Sequence, residues 1–449
     1  MITPRFSALA LSLALPLVAG ACTVATAPAP TPTPPTVVWP QGTPVARRIT
    51  ITNDVAALSA RLHINPTAVG LRAVGLKTQA VSLSLGAPPP APITLHSVGQ
   101  LDPPQAVAEI VNNSGNGHET SSGPIPLYAV TVSIAANVAL VSYMLTGTYF
   151  AGAVDVLDIT NVEAPVLRAS ALFDHMNIAT AEFVPDDPTS GSGDVYLVAG
   201  TCDASYPATA LMERLRLDNF QMSAAADYRL PLLGGSGEGL AIAGGRLYGT
   251  AGVQGGVRMF DQATQALLGE QAVGGDGDAR WVSVAGGMAV VVSGGLAGRL
   301  DVFDDQSLRP LGSFPFDGAT VPESKSTVQL VGARAFVAAG PGGMQVLSTR
   351  TGHLLGQIPV PADPNYGPAD LVNNAVSIDR DLVVMSMGGP GVYVAGSAAP
   401  LDTPDSEAPF SAAWLTGLDI PGSVNHVSFR GHALLVASGA SGLQILSID

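Results

Sequence analysis

The chain has 449 residues, of which 51 are glycine and 36 proline; only 12% are charged and 47% are apolar. So apolar a composition excludes a disordered polyelectrolyte, and so many glycines suit short strands joined by tight turns. The net charge of −15 argues against nucleic acid as a partner, since its phosphates would be repelled.

The first residues read as an export signal. Arg5 precedes the apolar run Ala8–Val18, which ends in Ala19-Gly20-Ala21 before Cys22. The run is too short to span a bilayer, so residues 1–21 are expected to be a signal peptide. VAGAC resembles a bacterial lipobox, which implies that Cys22 is acylated and becomes the mature amino terminus. Ala19 stands where such boxes prefer leucine, and Ala19-Gly20-Ala21 also fits ordinary signal cleavage, which would leave the protein periplasmic. Thr23 after the cysteine resembles lipoproteins bound for the outer membrane, so the expected address is the cell envelope, at the outer membrane or cell surface. With Cys22 acylated, Cys202 has no disulfide partner and is read as a buried thiol.

Residues 22–44 form a Pro/Thr/Ala tether, whose dense prolines favour extended polyproline II over a packed element. Residues 45–85 differ: four arginines and Lys77 stand against Asp54 alone. RRITITND, ALSARLHI and AVSLSL each read as a strand, making a small basic β element or collar. From Ala80 onward fourteen basic residues face thirty-four acidic ones, a net of −20. The collar could touch anionic lipid, the acidic body, or solvent alone.

The rest of the chain, residues 86–449, is organised by a recurring cassette: apolar, polar, apolar, apolar, then Asp or Ser. It reads VDVLD at Val154, VRMFD at Val257, LDVFD at Leu300, MQVLS at Met344 and LQILS at Leu443, with a weaker VYVAG at Val392. The last four intervals are 43, 44, 48 and 51 residues; the first, 103, spans two units and places a hidden copy near Thr209–Leu217. A period in the forties is that of propeller blades. Each unit carries a short strand, a second apolar strand, the cassette and an outward strand, which makes one four-stranded antiparallel sheet. The middle strands are nearly continuous Val, Leu, Ala and Met because both faces of a blade are covered. The expectation is an all-β, seven-bladed β-propeller. Its last unit ends at Asp449 without a fourth strand, and the spare strand Ala91–Leu101 is expected to pair with Leu443–Ile448 and close the ring.

Ala139–Phe173 (ALVSY…AGAVDVLDITNVEAPVLRASALF) resembles the LVIVD repeat of bacterial exported and surface proteins, and GGMQVLSTRTGHLLGQIPV is similar to YVTN-type propeller repeats. The resemblance implies the fold; most of that group lack an assigned activity, so it implies no catalytic residue.

No nucleophile elbow, zinc helix, P-loop or CxxC pair occurs. GSGEG at Gly235–Gly239 reads as an inter-blade turn. His175 and His426 lie at innermost strands and are weighed as a shared metal site against blade-top polar residues. Asp276 and Asp278 in GDGDAR have the alternating spacing of a calcium loop without its further carboxylates, so calcium is the one cofactor considered and a turn the simpler reading. Asn112–Gly123, Asp187–Asp194 and Pro400–Pro409 are polar insertions. The cassette Asp158, Asp261 and Asp304 are read as turn caps, since Ser348 and Ser447 replace them.

Two functions follow. One is a non-enzymatic, monomeric binding or scaffold module, held to the membrane only through its lipid and facing an envelope protein or polysaccharide. The alternative is a lactonase- or glycosidase-like hydrolase with its site in the central channel, using Glu238, Asp278, Arg280, Asn374 and His426 near the blade tops.

Overall fold

In the computed structural model, every cassette is the third strand of a four-stranded antiparallel sheet, and seven such sheets form a β-propeller. Residues 49–64, 72–73, 93–111, 118–121, 123–145, 147, 149–201, 206, 208–223, 229–273, 277–322, 324–361, 365–367, 369–397, 401, 407 and 409–449 are described. Cys22, Cys202, Asp276 and the AVSLSL segment lie outside them.

Innermost strands begin the blades: Tyr128–Ala135, Asn177–Pro185, Gly237–Ala243, Asp278–Ala285, Val328–Val331, Leu371–Asp379 and His426–Arg430. The hidden second unit is Ala210–Asp218, paired with Gly193–Gly200. Its outer edge is split between Gln221–Ser223 and Arg229–Pro231. In blade 7 the outer strand is Leu95–Leu101, paired in the register Leu443↔Leu101 to Ile448↔Leu95, so the ring closes as expected.

Apolar side chains divide into seven clusters, one at each blade interface. Val154 and Val156 of blade 1 meet Val195 and Leu197 of blade 2. Blade 7 meets blade 1 through Leu435 and Ile445 against Val141 and Tyr143. Both faces of each middle strand are thereby taken from water, which is why alternation disappears from the sequence. The glycines before the cassettes have a steric reason. Gly343 and Gly442 hold φ of +75° and +74°, and a Cβ there would lie 2.1 and 2.0 Å from the carbonyls of Ile358 and Leu101 on the outer strand.

The cassette aspartates close turns. Asp304 Oδ1 accepts from the backbone of Gln306 and Ser307 and from the Ser307 hydroxyl, and Asp261 Oδ1 accepts likewise from Thr264. Ser348 Oγ accepts from the backbone of Arg350 and Thr351 in the same role.

The basic segment runs along the outer rim. Ile49–Thr52 adds a fifth strand to blade 1, Leu62–Ile64 one to blade 7, and Arg72–Ala73 one to blade 6. ALSARLHI is not one strand: Val55–Ser59 is a helical turn capped by Asp54, whose carboxylate accepts from Ala56 and Ala57. Asn53 continues the arm to blade 2, exchanging two amide hydrogen bonds with the Met222 backbone. Arg61 joins blade 7 to blade 1. Its guanidinium donates to both Asp155 oxygens and to the Asp102 carbonyl. Burial opposes its charge, but the fully buried Asp155 beside it more than offsets this and raises the Arg61 pKa.

Near blades 1 and 7, Glu109–Val111 and His118–Thr120 form a hairpin joined by Tyr149–Phe150. This hairpin occupies part of the expected Asn112–Gly123 insertion. Of that insertion, Asn112–Gly117 and Ser122 lie outside the described residues.

Candidate functional site at the channel mouth

All seven innermost strands run in the same sense, so their first residues converge on one face of the ring. Glu238 is the second residue of its strand, Asp278 and His426 are the first of theirs, and Arg280 is third. Lys325 stands just before Val328–Val331.

Lys325 Nζ lies 3.4 Å from Glu238 Oε2, an ion pair from blade 5 to blade 3. Glu238 keeps 27% of its side chain open to the channel although the ring encloses it. That enclosure raises its carboxyl pKa; Lys325 pulls the value down and Asp278 adds to the rise. Arg280 Nε donates to Asp278 Oδ2 at 2.8 Å, and its Nη1 donates to the Val321 and Ser324 carbonyls and Ser326 Oγ. The guanidinium lies on Gly294, where a Cβ would come within 2.1 Å of its Cζ. Arg280 therefore fastens blade 4 to the loop that leads into blade 5.

Below these ion pairs the channel is stoppered. Trp281 of blade 4 and His426 of blade 7 belong to blades that are not neighbours, yet their ring centroids are 5.2 Å apart. His426 Nδ1 accepts from the Val132 backbone N–H, which leaves the proton on Nε2. Burial, with the Lys325 charge adding to it, lowers the imidazole pKa to about 3, so it stays neutral. Glu182, on the innermost strand of blade 2, is a second enclosed carboxyl. Burial lifts its pKa to about 8, and the Ser133 hydroxyl offsets only part of the effect.

Small polar side chains clasp adjacent innermost strands. Thr131 and Ser133 hydroxyls donate to the Ala179 and Ala181 carbonyls, and Thr180 to that of Glu238. Thr327 Oγ1 accepts from Val376, and Ser377 Oγ from Phe429. Each blade's inner edge has no further strand to pair with, so these hydroxyls satisfy the exposed peptide groups.

The structure thus brings Glu238, Asp278, Arg280 and His426 to one mouth. Asn374 is spent on the framework, its amide donating to the Val424 carbonyl at 2.9 Å. His175 does not join His426: it is buried against Asp174 and the Tyr206 hydroxyl, with its ring stacked on Tyr206. Among the described residues no group of three His, Cys, Asp or Glu is placed to hold a metal ion. Lys325, Trp281 and Glu182 were not singled out as site residues from the sequence. The one available signal was that Lys325 is one of only two lysines in the chain.

No protein-family model and no curated protein matches the chain. Solved structures do. The WD40 repeats of RRP9 align over 83% of this chain and 100% of that one, at 12% identity and a TM-score of 0.51. The structure of U3-55K aligns over 76% and 98%, at 12% identity and a TM-score of 0.50. At that identity the likeness is one of fold.

Proposed function

We propose that the protein is an exported, lipid-anchored propeller that serves as a non-enzymatic binding module at the cell envelope, with the channel mouth as its recognition surface. The observation that carries this reading is the commitment of the mouth's charges to one another. Lys325 pairs with Glu238, Arg280 with Asp278 and three loop acceptors, and Trp281 with His426 forms a floor. A rigid, charge-matched recess with a closed floor suits contact with a partner's surface better than turnover within a channel. The amino-terminal signal, Cys22 and the tether support attachment to the envelope, as does the resemblance to the exported LVIVD-repeat proteins. The partner class is an envelope protein or polysaccharide.

Full-length acylated protein used as bait in envelope extracts should recover a specific partner that the Lys325→Glu variant loses. Background alone from both would remove the reading. Mass spectrometry of the mature terminus should find diacylglyceryl on Cys22; an unmodified cysteine would leave export without an anchor.

One observation favours a hydrolase instead: Glu238 is a carboxyl at the mouth whose pKa enclosure raises, as an acid catalyst's is, with the charge of Asp278 adding to the rise. Turnover of a lactone or glycoside panel by the wild type, abolished by Glu238→Gln, would establish it; no turnover removes it.

A further inference from the structure

The six cassette blades share one register, and it defines a docking position on their outer edges. Each outer strand has a β-bulge opposite the third cassette residue, and the strand beyond the bulge is straight. Among the described residues the arm adds its strands there: to Ser170–Phe173 on blade 1, Gly99–Leu101 on blade 7, and Leu418 and Asp419 on blade 6. On blade 7 the peptide N–H just past the residue opposite the first cassette position, that of Asp102, donates to the Arg61 carbonyl at 2.9 Å.

Blades 4 and 5 carry proline at that position. Pro315 pairs with Arg299, one residue before the cassette, and Pro359 follows Ile358, which pairs with Met344. Proline offers no N–H, so those edges cannot take a strand in the same way. On blade 2 the outer strand is split into Gln221–Ser223 and Arg229–Pro231, and the Asn53 clasp holds Met222 in the first part. Blade 3 differs from all of these. Its equivalent residue is Ala272, paired with Gly256; it is exposed, and no described segment lies along Glu270–Ala272. Leu267 and Leu268 are exposed on the same strand.

We infer that the outer edge of blade 3 is a strand-addition site, which takes an extended, basic, β-branched peptide segment of another protein in antiparallel pairing with Glu270–Ala272. The antiparallel sense follows from all three strands that the arm adds at this register. The basic character follows from charge. On the strand pair Gly256–Ala272 the carboxylates of Asp261 and Glu270 stand against Arg258, which is paired with Glu270, and the segment this molecule itself uses for the purpose opens with Arg47 and Arg48. The site is distinct from the channel mouth and does not depend on the anchor.

The test uses the full chain and a synthetic peptide of sequence RRITITN, that of Arg47–Asn53. Hydrogen exchange should show the peptide protecting the Glu270 and Ala272 amides, and fluorescence anisotropy should give saturable binding. Ala272→Pro places on blade 3 the residue that blade 4 carries as Pro315, so the fold and Tm should be kept while affinity falls at least tenfold. Absent binding, or binding that Ala272→Pro leaves unchanged, as exchange with the arm on blade 1 would give, overturns the inference. So does self-association of the wild type that Ala272→Pro abolishes without peptide protection, which would assign the edge to a second copy of this chain.

Discussion

The outer rim and the axis of this propeller are held by different chemistry. At the rim, where blades diverge, extra strands pair through main-chain groups, and one half-buried arginine staples blade 7 to blade 1. At the axis, where blades converge, hydroxyls clasp neighbouring strands and enclosed ionisable groups face one another. The difference teaches where identity matters. Main-chain pairing asks little of a side chain beyond extended geometry, so the rim can be extended by short, unremarkable segments. The axis has room for few side chains, and each one sets the charge and depth of the channel.

The comparison breaks most readily at Asp155. Asp155→Ala leaves the Arg61 guanidinium largely enclosed without its carboxylate, and should cost about 3–5 kcal/mol. Urea denaturation would measure the loss, and limited proteolysis should show cleavage within residues 49–64. A change below about 1 kcal/mol would mean that the arm is held by its strands alone.

At the axis, Trp281→Ala should cost about 3 kcal/mol through lost packing. It should also let water reach His426, so that the imidazole pKa, followed by NMR, rises from about 3 toward its ordinary value. An unchanged His426 titration would show that the tryptophan is not the stopper.

The smallest effect concerns pH. Glu182 holds its proton in the fold up to about pH 8, whereas an unfolded glutamate loses it near 4.5. The folded state therefore binds more protons between these values, and stability falls as pH rises through that window. His426 has the opposite sign: neutral when folded, it loses stability as pH drops from 6.5 toward 3. Glu182→Gln should flatten the alkaline side of the profile, with its gain largest at pH 8 and absent at pH 4. Thermal melts across that range would check it.

Blade number and ring closure were legible because they repeat. Six cassettes and one gap counted seven sheets, and APITLHSVGQL matched the outer strands of other blades even though it precedes them. The rim arm was harder to read. Ile49–Thr52 was legible in the alternation of RRITITND, whereas Leu62–Ile64 and Arg72–Ala73 are three and two residues long, too short for a periodic signal. The helical turn at Val55–Ser59 is marked only by Asp54. At the mouth, Glu238, Asp278, Arg280 and His426 could be placed from strand starts. The contact of Trp281 with His426 could not, because it crosses the ring between residues 145 positions apart. Asn374 looked equally available from its position, and only coordinates show its amide spent on the Val424 carbonyl.

The closing strand has a consequence for the order in which the molecule is made. Leu95–Leu101 leaves the ribosome more than three hundred residues before Leu443–Ile448, and until those last residues exist its place in blade 7 has no neighbour. Each earlier blade can form from local hairpins, but the circle is sealed in one late, long-range event. Such an event is slow, because two distant parts of the chain must find each other. Until that event the molecule is an open arc with two raw ends, one of them the strand that will finish it. The same step makes Leu443–Ile448 decisive for all seven blades: without its pairing to Leu95–Leu101 the blades form an arc and no ring.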